Sequence, residues 1–470
     1  MVLHLPYLFK EVCMKRLSLS LVLVFILAGF VFANGAVEDQ VTLTAEEEMW
    51  SSELHDWSGK TIRVMMIGDP WIDSLIEISK NFERITGAKV IVDGYGYDQT
   101  HEKEVLEGNQ PNSDVDIIVL DAPWVGEFAE AGYVENLKPY IEKEDSDLIA
   151  WNDYFSTFRD VVTWKDQIVG LPFASYYVMG NYRKDILDKE GFDFPVTTDD
   201  VKAIAKHFSN NPDYPNMYGV AMNNQSGSAV GQAFFEWIYS FGGKPFMSMY
   251  PGSPDSYADM TPNFDSPEAK ETVQFFIDLL EYQPEGALSI AWDDRAKYFA
   301  SGYVAQAFMW SARMAMLEDP NKSAVIDKVD FGLFPSSEPG KSAPPLGGWL
   351  MGIASNGNQK DMAWDFIKWF CSQDVHQEFV MAGGPPSRYS IFTDPETTAK
   401  YSWLDTLEDT VDRSYADCRP RIPESNEIIT TVGTYISRAM TGELTVDKAM
   451  KALNVELAEM LSNAGYNVSK

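Results

Sequence analysis

Histidine and cysteine are scarce in this chain, with five His and three Cys among 470 residues. Neither HExxH nor CxxC occurs, and the Cys spacing matches no metal motif, so no metal site and no cofactor are expected. Cys13 belongs to the N-terminal segment, which leaves Cys371 and Cys418. An oxidising compartment permits their pairing without requiring it. The GxSxG pattern is missing too, and His101, His207 and His376 sit on polar helical stretches, which removes the usual grounds for a Ser-His-Asp hydrolase. Basic runs are absent, and 37 Lys and Arg stand against 70 Asp and Glu, a formal net charge of -33. A nucleic-acid partner, which needs clustered cations, is excluded on that ground. No apolar run comparable to the one near the N-terminus occurs later, and neither an internal repeat nor a long low-complexity segment is found.

What is present is the composition of a soluble globular protein, 45% hydrophobic and 23% charged, and long enough for two or three domain-sized units. Lys15 and Arg16 precede an apolar region from Leu17 to Phe32, and Val31-Phe32-Ala33 offers a small-residue cleavage site before Asn34. This reads as an export signal over residues 1–33 with a natural start at Met14. The apolar stretch is shorter than the roughly 20 residues of a spanning helix, and no Cys follows it to accept a lipid. The mature chain is therefore expected to be soluble, with an acidic leader over residues 34–59.

Thr61 to Ile67 reads as a buried strand, and a turn at Gly68-Asp69-Pro70 opens a helix with Ile72, Leu75, Ile76 and Phe82 on one face. Lys89 to Asp93 is a second strand, followed by a polar helix, and Val115 to Leu120 a third, fully apolar one. This alternation means a parallel α/β sheet. Ligands of such sheets sit beyond the carboxyl ends of the strands, which singles out Asp69, Trp71, Asp121 and Trp124. Further on, Ile168 to Ala174 reads as a strand interrupted by Pro172, and Tyr176 to Tyr182 as another. Thr198 is expected to cap one helix and Ser266-Pro267-Glu268 to open the next. Three amphipathic helices follow, one through Met362 to Phe370 and two near the C-terminus separated by Gly442.

Several segments in this order resemble the extracellular solute-binding proteins of family 1. They include Phe82-Glu83-Arg84-Ile85-Thr86-Gly87, Asp114-Val115-Asp116-Ile117-Ile118, Gly170-Leu171-Pro172 and Asn181-Tyr182-Arg183-Lys184-Asp185. Phe299-Ala300-Ser301-Gly302, Leu346-Gly347-Gly348-Trp349, Gly383-Gly384-Pro385-Pro386-Ser387-Arg388 and Arg419-Pro420-Arg421-Ile422-Pro423 continue the series. The resemblance implies the type II periplasmic-binding fold, two α/β lobes joined by crossing hinge strands. Mapped onto this chain, it implies one lobe from residues 60–170 and 306–350, and another from 171–305 and 351–470. By the same resemblance, the protein is periplasmic, captures a carbohydrate between its lobes, and hands it to the permease subunits of an ABC importer.

Sugars need paired hydrogen-bond donors and acceptors, and their C–H faces lie well on flat rings. Trp349 and Trp310 match positions where the family stacks aromatics on sugar, and Arg388 matches a loop arginine that reaches the ligand. Asp69 and Asp121 could orient hydroxyls by charge-assisted hydrogen bonds. Tyr176 and Tyr177 alternate along a strand, so one of them is expected to face the cleft. Trp71, Trp124 and Gln225 complete the candidate set. Two rivals are weighed. A glycoside hydrolase needs two carboxyls about 5 to 9.5 Å apart, and no motif pairs a second acid with Asp69 or Asp121. The same fold also carries polyamines or sugar phosphates, the latter calling for several cleft Arg or Lys.

Overall fold

The first strand, β1 (Thr61–Ile67), runs parallel to β2 (Lys89–Tyr95) on one side and β3 (Ile117–Asp121) on the other. The computed structural model describes residues 44–469, of which Trp50 onward form one unit. The expected export signal, its expected cleavage site and the first part of the expected leader lie outside the described residues. Between β1 and β2, the helix Ile72–Thr86 buries Leu75, Ile78 and Phe82 against the sheet. It stops at Gly87, whose φ of 72° is the left-handed conformation that glycine adopts without a Cβ penalty. Ile76, expected on the buried face, is instead exposed, because the stripe at Leu75, Ile78, Ser79 and Phe82 leaves it on the flank.

A short ribbon, β4 (Thr163–Trp164) and β5 (Gln167–Ile168), leads into β6 (Leu171–Arg183), thirteen residues buried at every position but Tyr182. Its first half pairs antiparallel with β10 (Leu346–Ile353), which pairs in turn with β3. Its second half, from Val178, pairs with β8 (Val304–Trp310) and, at Gly180–Arg183, with β9 (Val329–Gly332). The last strand, β7 (Tyr218–Ala221), is parallel to β8. One strand thus passes from one half-sheet, β2-β1-β3-β10-β6, into a second, β6-β8-β7, and each half carries its own helices.

Pairing relocates the lobe boundaries expected from sequence. Residues 306–310 hydrogen-bond to the second half of β6, and 351–353 to β3 in the first half-sheet, while the helix Lys360–Phe370 packs on β10. β6 changes its pairing partner between Tyr177 and Val178. Pro172 does not interrupt the strand: the register shifts between Trp349 and Leu350 so that Phe173 is the extra residue of a bulge, which tolerates a proline without a ladder N–H. The N-cap of the helix Thr198–Phe208 is Thr197, whose hydroxyl accepts from Asp200 N in a capping box.

The helix Ser228–Trp237 is buried on every side. It crosses the C-terminal helix Ser425–Met440 at backbone distance, since a Cβ on Gly231 would stand 2.0 Å from Ile429 O and one on Gly433 1.9 Å from Gly227 O. Cys371 and Cys418 are both buried free thiols. Among the described residues, no helix is long and apolar enough to cross a membrane.

Candidate functional site

The strand registers deliver side chains from both half-sheets to one place. On β10, Trp349 stands opposite Asp121 at the carboxyl end of β3, and Gly347 opposite Tyr176 of β6. Trp310 ends β8 opposite Val178. With Asp69 from the turn after β1 and Tyr97 from the turn after β2, these residues line a cavity of about 380 Å³, mouth included. Ile67, Gln232, Trp292, Arg313, Gly348 and Arg419 complete its wall.

Hydrogen bonding within the wall is dense. Asp121 accepts from Tyr97 OH at 2.8 Å and from Arg419 Nη1 at 3.2 Å through one oxygen, and from Ala122 N at 2.8 Å through the other. Asp69 accepts from Arg313 Nη2 at 3.0 Å and, on its second oxygen, from Tyr176 OH. Arg313 also reaches Asp293 at 2.9 Å on the helix Trp292–Ala300, so one guanidinium joins an acid of the first half-sheet to a helix of the second. Behind Gln232, one turn along its helix, Glu236 lies 3.5 Å from Arg295, both fully buried.

These pairings set the protonation states. Burial alone would depress Arg313 and Arg419, but Asp69 and Asp293 beside the first, and Asp121 beside the second, hold both above the ordinary arginine value. The Tyr97 and Tyr176 hydroxyls are pushed far up by burial and then by the adjacent carboxylates, so both stay protonated donors. Burial raises Glu236 against the pull of Arg295, Arg419 and Arg313.

Rings form the rest of the wall. Tyr97 lies 5.3 Å from Trp292, tilted by 44°, and 6.1 Å from the edge-on Trp349. The Arg419 guanidinium sits 5.5 Å from the Trp310 ring centre. Gly347 makes this approach possible, since a Cβ there would fall 2.5 Å from Arg419 Nη2 and 3.3 Å from the Trp310 ring.

Of the residues nominated from sequence, Asp69, Asp121, Tyr176, Trp310 and Trp349 meet at the cavity, and five do not. Trp124 is wholly buried behind Trp349, ring centres 5.5 Å apart, because the 3-10 turn after Asp121 folds it inward. Trp71 is likewise one layer back, its indole N–H donating to the Tyr176 hydroxyl and its ring wedged between Phe173 and Phe379. Tyr177, on the opposite face of β6, bonds Thr157 at 3.0 Å. Arg388 is consumed by backbone carbonyls of Cys371, Ile149 and Ala150 and lies 3.7 Å over the Tyr154 ring. Gln225 is exposed in a loop tied to Ile290 by its backbone N–H.

Tyr97, Gln232, Trp292, Arg313 and Arg419 escaped the sequence reading. The strand-end rule that found Asp69 and Asp121 applies equally to β2 and would have found Tyr97. Arg419 lies within the Arg-Pro-Arg-Ile-Pro segment already noted. Gln232 and Arg313 carry no local signal.

Comparison with known proteins agrees with this architecture. A mannitol-binding protein of Pseudomonas aeruginosa is 27% identical over 337 residues, 67% of this chain and 74% of that one. A probable amino-acid ABC transporter periplasmic-binding protein of Sinorhizobium fredii is 24% identical over 419 residues, 87% and 91% of the two chains. Among solved structures, an ABC transporter solute-binding protein of Agrobacterium radiobacter in complex with ribitol superposes with a TM-score of 0.80 at 27% identity, over 86% of this chain and all of the other. The maltose-bound MalE3 of T. maritima does so at 0.76 and 23% identity, again over 86% of this chain and all of that one. The sequence model of one family, the bacterial extracellular solute-binding proteins, matches residues 77–402. This chain belongs to that family.

Proposed function

We propose that the chain is an exported, periplasmic binding protein that holds a neutral carbohydrate, a sugar or polyol, in this cavity and delivers it to the permease of an ABC importer, without chemical change. One observation carries the choice of cargo: the charges of the wall are spent on one another. Asp69 with Arg313 and Asp121 with Arg419 form two buried pairs of opposite sign in the wall, and Glu236 and Arg295, also of opposite sign, lie buried outside it. A sugar phosphate needs cations in excess, and a polyamine or amino acid needs a carboxylate free to take an ammonium group. Breaking a buried pair to supply either costs several kcal/mol. Hydroxyl groups make no such demand, and the rings of Tyr97, Trp292, Trp310 and Trp349 offer apolar faces for the carbon skeleton.

The relatives named for mannitol and bound to ribitol support the same reading, whereas the relative named for an amino acid favours the rival that the wall's charge pairing disfavours. Two carboxylates so fully engaged with arginines and tyrosines are poor candidates for a glycosidase acid and nucleophile. The test is a thermal-shift screen of the purified chain from Asn34 to Lys470 against neutral polyols, mono- and disaccharides, spermidine, amino acids and sugar phosphates, with chromatography of the recovered solute. A ligand at a hundredfold excess over its Kd stabilises by about 2.7 kcal/mol, a visible rise in Tm. Stabilisation by a neutral carbohydrate, recovered intact, is expected; stabilisation only by an amine or an anion, or breakdown of the sugar, overturns the proposal.

A further inference from the structure

The buried hydrogen-bonding atoms left without a partner in the wall are all donors. Both oxygens of Asp69 and both of Asp121 already accept hydrogen bonds. By contrast, Gln232 Nε2, Arg313 Nε and Arg419 Nε are buried donors with no acceptor, on residues that line the cavity. A buried donor left unmatched costs about 1 to 3 kcal/mol, so such atoms in a wall mark where an acceptor is received. The two arginines are anchored by their carboxylates. Gln232 has no such anchor: its amide nitrogen makes no hydrogen bond, and it projects from a helix fixed by the glycine contacts at Gly231 and Gly433.

Resting on the carbohydrate reading above, we propose that Gln232 is the second lobe's specificity-determining residue, donating its Nε2 hydrogen to one particular oxygen of the bound sugar or polyol. Its backing is rigid and polar. Glu236, on the next turn of the same helix, faces Arg295, and neither the Glu236 oxygens nor the Arg295 nitrogens have a hydrogen-bond partner despite full burial. The first lobe then grips the solute with rings and hydroxyls, while the second reads one position along it.

Isothermal titration of the wild type, Gln232→Met and Gln232→Glu tests this with ribitol, D-mannitol, D-tagatose and maltose, followed by the monodeoxy analogues of whichever binds tightest. Met keeps the length without the donor, and Glu keeps the shape but, ionised, only accepts. Both variants are expected to weaken binding about tenfold or more, and the Gln232→Met variant to keep its ligand-free Tm within about 2 °C of the wild type. One deoxy analogue should lose a similar factor on the wild type and nothing further on the variants, a coupling that a purely structural glutamine would not produce. Unchanged affinity in both variants, or a deoxy penalty that persists in them at every position, overturns the assignment while leaving the carbohydrate reading standing. If the wild type binds none of the four solutes, the carbohydrate reading itself falls, and this inference with it.

Discussion

Trp349 and Asp121 stand directly opposite each other across the antiparallel β3–β10 pair, and both line the cavity. Ring and carboxylate are therefore placed by backbone register rather than by loop conformation. The carboxylate is held by Arg419, nearly three hundred residues further along the chain. Elements remote in sequence close the wall.

Asp121→Asn should leave the Arg419 charge buried without its partner and cost about 3 to 5 kcal/mol, read as a lowered urea midpoint. Combining it with Arg419→Met should recover part of that loss. Additive costs in the double variant would show that the two do not act as a pair.

Gly347→Ala puts a methyl group where Arg419 Nη2 and the Trp310 ring now lie, at 2.5 and 3.3 Å. The guanidinium must move away from Asp121. Ligand affinity should fall about tenfold with a smaller loss of stability, measured by titration calorimetry alongside thermal melting. Unaltered affinity would mean that the Arg419–Trp310 wall does not touch the ligand.

Arg313 links Asp69 to the half-exposed Asp293. Removing the exposed acid with Asp293→Ala keeps the buried pair and loosens only the link to the helix Trp292–Ala300. An exposed partner of this kind is worth up to about 1 kcal/mol, or roughly a fivefold shift between closed and open forms. Small-angle scattering of the ligand-free variant should give a larger radius of gyration than the wild type, the difference shrinking in high salt. Identical scattering at low salt would rule out the link as a contributor to closure.

His376 gives a pH dependence of definite sign. It is fully buried, accepts from Ser387 N at 2.9 Å through Nε2, and has its pKa lowered to about 3 by burial first and by the Arg388 charge second, with Asp153 opposing. The unfolded chain takes up this proton near pH 6.5, the folded one only near 3. The neutral ring's contribution is whole above pH 6.5 and is lost as pH falls from there toward 3, at about 1.4 kcal/mol per unit. His376→Gln, which retains an acceptor, should flatten the acid limb of the stability curve relative to the wild type; parallel limbs would show that the histidine does not titrate on unfolding.

The strands and the helices between them were legible because their signal is local: β1 and β3 are short apolar runs, and the helix from Ile72 has a 3.6-residue stripe closed by Gly87. Asp69, Asp121 and Trp349 followed from strand ends and a short motif. Arg388 misled because a loop arginine after two prolines looks the same in sequence whether it meets a ligand or, as here, three backbone carbonyls. Trp124 and Trp71 miss the cavity by one layer, a distinction decided by the turn geometry of a few residues. Gln232 sits on a helix buried all round, where no polar stripe marks the face that meets the cavity. Arg313 finds Asp69 across 244 residues, a pairing no local pattern encodes.

The central claim is that the wall carries no charge to spare. Titration of the same protein with D-mannitol and with mannitol 1-phosphate, at low and at physiological salt, tests it most directly. Preference for the neutral polyol by at least about a hundredfold, insensitive to salt, is the expected result. Tighter binding of the phosphate, weakening as salt is added, would contradict it.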